Sequence, residues 1–421
     1  MSRSATSFLM LFALGAAPLA GQQPAATDTS LAARLERAER MIAILQEQVA
    51  EQARAPVTPR AGNKVELGGL VLTNGFYNNA RVNSSDLPTF VLSPDPASPY
   101  TASALGGTAR QTELTFSTSA SNVLGASFTG EIDADFYGGQ QAFARLFPLL
   151  HLKRSKAELR WPHAWVMVGA DAPPISGVNP SSFSARSIPG FTSAGNLWFW
   201  LPQVRLGAEV GSAVRLGLEA SALAPTSNEG PTAFQPEASR AEHSKRPFVE
   251  ARLIGRWENP QSSGEISVGG HYGWYATASV DTMRVTRAVG ATARFNVTPY
   301  VEVRGEAFLG QALASLGGGG IGQDFGLADV PVRTRGGWAQ LNVLPIPQVE
   351  IGGGYGFDDP TDADLILATA RLKNVAFEGH LHLKPGPVIL ALEFRRIETT
   401  YPAPRGKLYV NHINVGTGFR F

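Results

Sequence analysis

Charged residues spaced two apart are the first feature of this chain that could do chemistry. In "GEIDADF", Glu131, Asp133 and Asp135 alternate with apolar or small neighbours, and in "RSKAELR" Arg154, Lys156 and Arg160 do the same. Further along, Arg205, Arg215, Arg252 and Arg256 sit at alternating positions of apolar segments. Guanidinium groups gathered on one face of neighbouring strands would offer bidentate hydrogen bonds to carboxylates and phosphates. Lining a low-dielectric channel, they would attract passing anions. The other reading is that they pair with Glu131, Asp133, Asp135, Glu158, Glu209, Glu219 and Glu250 and hold a wall in shape. Spacing leaves both open.

Other chemistry has little support. The chain has neither a G-x-S-x-G nor an H-E-x-x-H sequence, and it contains no cysteine, so no catalytic residue and no cofactor is assigned. His380 and His382 share a strand face with Glu378 at a spacing that could bind a metal, with His412 two strands away. Histidines in a polar lumen are more often not ligands, and no metal is assigned. "GGGGIGQ" at 317–323 lacks the following helix that a phosphate-binding loop needs, and reads as a flexible extracellular loop. The 36 basic and 35 acidic residues nearly cancel, which argues against nucleic acid as a partner.

The elements that must position the charges are strands. From Lys64 onward the sequence has period two: Leu124, Ala126, Phe128, Ile132, Ala134 and Phe136 oppose Ser127, Thr129, Glu131, Asp133 and Asp135. Segments with this alternation are about 9–11 residues or longer, the length at which a tilted strand crosses a bilayer. Short turns, at 120–122, 162–163, 211–213, 259–263, 296–299, 345–347 and 385–387, alternate with longer loops rich in Gly, Pro and Ser. The pattern predicts an all-β chain, a sixteen-stranded antiparallel transmembrane β-barrel over 64–421, with an even strand number as closure with both ends on one side requires. A soluble sandwich would also alternate. It could not hold so many full charges on its inner face unpaired, and Trp161, Trp257, Trp274 and Phe295 near strand ends fit an aromatic girdle.

The flanking segments differ. Residues 1–21 have Arg3, an apolar run from Phe8 to Leu19, and small residues at Ala20 and Gly21, which predicts a secretory signal peptide. Within 22–63, Leu31, Leu35, Ala38, Ile42, Leu45, Val49 and Gln52 step by fours and threes, a heptad seam that predicts a periplasmic coiled coil followed by a Pro-containing linker. At the other end, "INVGTGFRF" alternates to a terminal Phe421 and resembles the signal read by the outer-membrane assembly machinery.

The stretches "LTFSTSASNVLGASFTGEIDADFYGG", "ELRWPHAWVMVG", "NPSSFSARSIPGFTSAGNLWFWLPQVRL" and "NHINVGTGFRF", in that order, make the chain resemble the trimeric DcaP-like porins. The resemblance implies a homotrimer in the lipid of the cell outer membrane, with an N-terminal helix in the periplasm. It implies passive diffusion of small hydrophilic solutes, including anionic ones such as dicarboxylates, alongside neutral ones. In such porins the third long loop, here 172–200, folds into the barrel and narrows it. Its low charge and its apolar Ile175, Phe183, Ile188 and Phe191 suit packing on a wall, and Arg186 is the charge it would bring to the constriction. The alternative is a structural or adhesive barrel, plugged by its loops, whose coiled coil contacts peptidoglycan.

Overall fold

The computed structural model describes residues 63–98, 102–138, 148–227, 238–277 and 282–421. The signal peptide and the coiled coil read from the sequence lie outside the described residues. Strands form in chain order: β1 (Asn63–Asn78), β2 (Ala104–Thr108), β3 (Glu113–Val123), β4 (Ala126–Gly138), β5 (Leu149–Arg160), β6 (Ala164–Asp171), β7 (Leu201–Gly211) and β8 (Val214–Leu223). They continue as β9 (Phe248–Glu258), β10 (Ser263–Ala276), β11 (Met283–Thr298), β12 (Val301–Gln311), β13 (Arg333–Ile346), β14 (Val349–Pro360), β15 (Lys373–Leu383), β16 (Val388–Thr400) and β17 (Lys407–Arg420).

Every neighbour pair is antiparallel, and the sheet closes where β1 meets β17, in register from Leu70↔Arg420 to Asn78↔His412. Both β2 and β3 pair with β1 and share one place in the wall, so seventeen strands make sixteen staves. The break between them is local and has a cause. Residues 109–112 leave the ladder so that Gln111 can turn inward, where its side chain accepts the Arg186 N–H and donates to the Ser184 carbonyl, each at 2.8 Å.

Period-two patterning becomes two environments. Leu206, Leu216, Leu218, Leu253, Val268, Val289 and Leu309 all point outward and are exposed. In water a continuous apolar belt of this size would be a liability; in lipid it is the solvent-matched face, and closure leaves no strand edge unpaired there. Trp257 and Phe295 pack together on that outer face, ring centroids 6.0 Å apart. The first short turn falls at Leu124–Gly125, not at 120–122: pairing runs on from Ala120↔Phe128 through a register shift to Val123↔Ala126. Residues 120–122 looked like turn chemistry but belong to β3, with Asn122 at a φ of +60° in the register shift, and the turn itself falls at Leu124 and Gly125, which also take positive φ.

Candidate functional site: the loop-lined lumen and its ion-pair wall

The connection 172–200, between β6 and β7, lies inside the barrel against one side of the wall. Three apolar contacts seat it. Ile175, Leu197 and Leu201 join Phe248, Tyr275, Leu313 and Leu316. Val178 and Phe191 join Val91, Trp338 and Ile397, with Phe191 stacked on Trp338 at 5.5 Å. Phe183 packs on Leu70, Leu72, Ile389 and Ala391. Ile188 is half-buried. At Gly195, with φ of +106°, the loop backbone lies so close to β13 that a Cβ would fall 2.3 Å from the Gly337 carbonyl oxygen.

Buried loop backbone must find partners, and wall carboxylates supply them. Glu250 accepts the Ile175 N–H at 2.9 Å and Glu306 the Leu197 N–H at 3.1 Å. Glu393 accepts the Ser182 hydroxyl at 2.6 Å and the Phe183 and Ser184 N–H groups. Ser181 donates its N–H to Gln340 at 2.7 Å and its hydroxyl to Glu350. Hydrogen bonds to charged acceptors contribute about 1.5–3 kcal/mol each, more than neutral ones. This row of acids is therefore a fastening for the loop.

The charges singled out from the sequence lie on β4, β5 and β7 to β9, with Arg186 on the loop, and each basic one has an acidic partner. Arg154 meets Glu131 at 2.7 Å and also Asp133; Lys156 meets Asp171 at 3.1 Å and Glu131 at 3.8 Å. Arg160 meets Glu158 at 2.8 Å, and Arg215 meets Glu209 at 3.4 Å. Arg252 meets Glu219 at 2.8 Å, and Arg256 joins Glu265, Glu209 and Glu219 at 2.7, 3.1 and 3.5 Å. Arg205 meets Glu219 at 3.6 Å and donates to the Ala172 carbonyl at the base of the loop. Arg186, the loop's one basic residue, is paired with Glu113 of β3. Glu250 and Asp135 are exceptions among the acids expected to pair with this set: Glu250 faces His271 at 2.8 Å and the loop, and Asp135 faces His151 and Lys153.

The pairs differ in what they leave to solvent. Arg205 and Arg252 are buried and act as wall bracing. Arg154, Arg160 and Arg215 are 36%, 40% and 41% exposed, while their partners Asp133 and Glu209 are each 12% and Glu158 and Glu131 24% and 28% exposed. A cavity of about 450 Å³ reaches this region, lined by Lys64, Glu66, Glu131, Lys156 and Glu158 among others. Asp135 is buried and turned to His151 at 3.0 Å and Lys153 at 3.8 Å.

Lys153 was missed by alternation, and the reason is a bulge. Pairing shifts between Asp133↔Arg154 and Ala134↔Leu152, so Lys153 is an extra residue and turns inward to Glu113 and Asp135. Two other readings are corrected. Residues 317–323 are no free loop: Gly319, Gly320 and Ile321 are buried, and the Leu316 carbonyl accepts the Trp198 N–H at 2.8 Å, binding this segment to the inner loop. Glu378 is no partner of His380 and His382, since it pairs with Arg395 at 2.6 Å; the carboxylate beside both histidines is Glu350.

Closed barrel, apolar belt and inward-folded third loop together define a porin-type transmembrane fold. The chain has the fold of the outer membrane channel DcaP of Acinetobacter baumannii, with a TM-score of 0.68 over 87% of this chain and 100% of that one, at 16% identity. An anion-selective porin from Comamonas acidovorans is similar over 85% of this chain and all of its own, with a TM-score of 0.53 and 14% identity. Pseudomonas putida OprB in its high-pH structure follows at 0.52, covering 86% of this chain and 94% of its own, at 9% identity. No protein-family model matches the chain, and no curated protein is similar to it in sequence.

Proposed function

We propose that this protein is an outer-membrane porin through which small hydrophilic solutes diffuse, with a preference for anions such as dicarboxylates. The 172–200 loop forms the constriction, and a solute passes between it and the β4–β8 wall. One observation carries the preference: Arg154, Arg160 and Arg215, 36–41% exposed, reach further into the water than the carboxylates that balance them, Glu131, Asp133, Glu158 and Glu209, which are 12–28% exposed. Charge neutrality of the wall does not make it electrically flat. An anion meets guanidinium ends first, and field lines focused in a low-dielectric channel make that order matter. The fold is shared with a porin whose solved structure is described as anion-selective, which agrees with the reading.

Assembly as a homotrimer belongs to the same proposal and rests on the family resemblance; a periplasmic coiled coil and linker over residues 22–63 rests on the heptad spacing as well. The function is tested by reversal potential in a planar bilayer under a potassium chloride gradient. Anion preference at low salt that fades near 1 M, where screening confines each charge to roughly 3 Å, supports the reading. Cation preference in the native channel overturns the selectivity. A pore that never conducts overturns diffusion and favours the structural barrel.

A further inference from the structure

The buried cluster of Glu350, His380 and His382 has the geometry of a metal site. Glu350 lies at the start of β14, and His380 and His382 are two apart on the inner face of β15. Glu350↔His382 is a direct cross-strand pair, so the fold places the three side chains together without help from any loop. All three are more than nine-tenths buried. His380 Nε2 lies 3.2 Å and His382 Nδ1 3.5 Å from Glu350 Oε1, and the three atoms fall within 4.8 Å of one another. A tetrahedral zinc ion with bonds of about 2.0–2.1 Å spaces its ligand atoms roughly 3.3 Å apart, so only small side-chain shifts separate this arrangement from a ligating one.

A second observation points the same way. His382 Nε2 is 2.9 Å from Glu393 Oε1. With the Nε2 proton given to Glu393, Nδ1 is available as a ligand; it is buried, makes no hydrogen bond among the described residues, and has Glu350 Oε1 3.5 Å away. A carboxylate behind an imidazole whose other nitrogen faces a second carboxylate oxygen is the outer-shell arrangement found at histidine-ligated metals. Lys384 Nζ holds the other oxygen of Glu350 at 2.8 Å, so Oε1 remains the one directed at the histidines.

We propose that Glu350 Oε1, His380 Nε2 and His382 Nδ1 bind a divalent zinc ion, with Glu393 orienting His382 and a fourth position left to water. The site touches the inner loop. Ser181 donates to Glu350 Oε1, and the Phe183 ring meets His382 edge-on at 4.7 Å. Zinc therefore tightens the wall under 181–183, and it raises thermal stability when bound.

The test uses the full-length protein in detergent, without a histidine tag, stripped with chelator and titrated with zinc chloride or cobalt chloride alone. Expected are uptake of one ion per chain, a tetrahedral cobalt absorption band, a rise in melting temperature that chelator reverses, and an X-ray absorption edge fitted by two imidazoles and oxygen. His380→Asn and His382→Asn abolish uptake, Glu393→Gln weakens it about 10–100-fold, and His163→Asn, at an exposed turn, leaves it unchanged. If a variant fails to fold, the cobalt and edge spectra of the native protein decide alone. Absence of stoichiometric uptake, or uptake with no imidazole in the edge spectrum, overturns the site and leaves His382 as a hydrogen-bonded brace between Glu350 and Glu393.

Discussion

Glu393, midway along β16, accepts the hydroxyl of Ser182, more than two hundred residues away in sequence, at 2.6 Å. The same carboxylate also takes the Ser184 hydroxyl and the Phe183 and Ser184 N–H groups, so one wall residue satisfies four donors of the inner loop. Glu393→Ala strands the Phe183 N–H and removes the acceptor of the Ser182 and Ser184 hydroxyls, at about 1–3 kcal/mol for each buried donor left unsatisfied. The expected outcome is a lower melting temperature together with noisier single-channel currents as the loop loosens. Unaltered current noise in a destabilised variant would show that the loop is held by its apolar anchors alone.

Selectivity separates the exposed arginines from the buried ones. Replacing Arg154, Arg160 and Arg215 together by Gln removes three accessible positive ends, leaves Asp133 and Glu158 without their arginines, and leaves Glu131 and Glu209 with only Lys156 and Arg256. The anion-to-cation permeability ratio falls by at least tenfold, equivalent to about 1.4 kcal/mol. Arg205→Gln and Arg252→Gln, at buried positions, lower stability and leave the ratio nearly unchanged. Reversal potentials paired with thermal melts distinguish the two groups.

Closure of the barrel depends on Gly69 and Phe421, which exchange backbone hydrogen bonds at 3.1 and 3.2 Å. A Cβ at Gly69 would lie 2.5 Å from the Glu113 carbonyl oxygen and 2.8 Å from the Phe421 ring. Gly69→Val therefore reduces the fraction of chain that migrates as a compact, heat-modifiable barrel on gels, both in cells and after refolding into detergent. Phe421→Ala retains the backbone pairing. It refolds normally in detergent, and it fails to assemble in cells if the terminal aromatic is a recognition signal.

Acid acts on the connection between β14 and β15. Asp364, between β14 and β15, accepts from Arg333 Nε at 2.7 Å, Nη2 at 2.9 Å and the Arg333 N–H at 3.1 Å. The Arg333 hydrogen bonds hold its carboxyl below the ordinary range near 3.8. A lowered value in the folded state means the contact stabilises the connection fully above that range and is lost as pH falls through the lowered value. The protection factors of the amides at residues 361–365, measured against the intrinsic exchange rate at each pH, stay constant from neutral pH down to about 4 and fall below it. Asp364→Asn gives the lower protection at every pH.

Much of this protein was legible in its sequence because a barrel in lipid obeys a local rule. Each strand must present apolar residues to one side and polar residues to the other, so Glu131, Asp133, Arg154 and Arg215 could be placed on the inner face from their neighbours alone. The sixteen staves followed from counting such segments. Local rules fail where residues far apart meet. The bulge that turns Lys153 inward depends on the β4–β5 register, which alternation cannot reveal. Arg154 and Arg252 read alike in sequence; only closure and the seating of the inner loop leave one in water and bury the other. The carboxylate beside His380 and His382 was sought on their own strand, at Glu378, whereas strand pairing brings Glu350 across from β14. Side-chain direction is set by the residue next door, but partnership is set by register and by what fills the barrel.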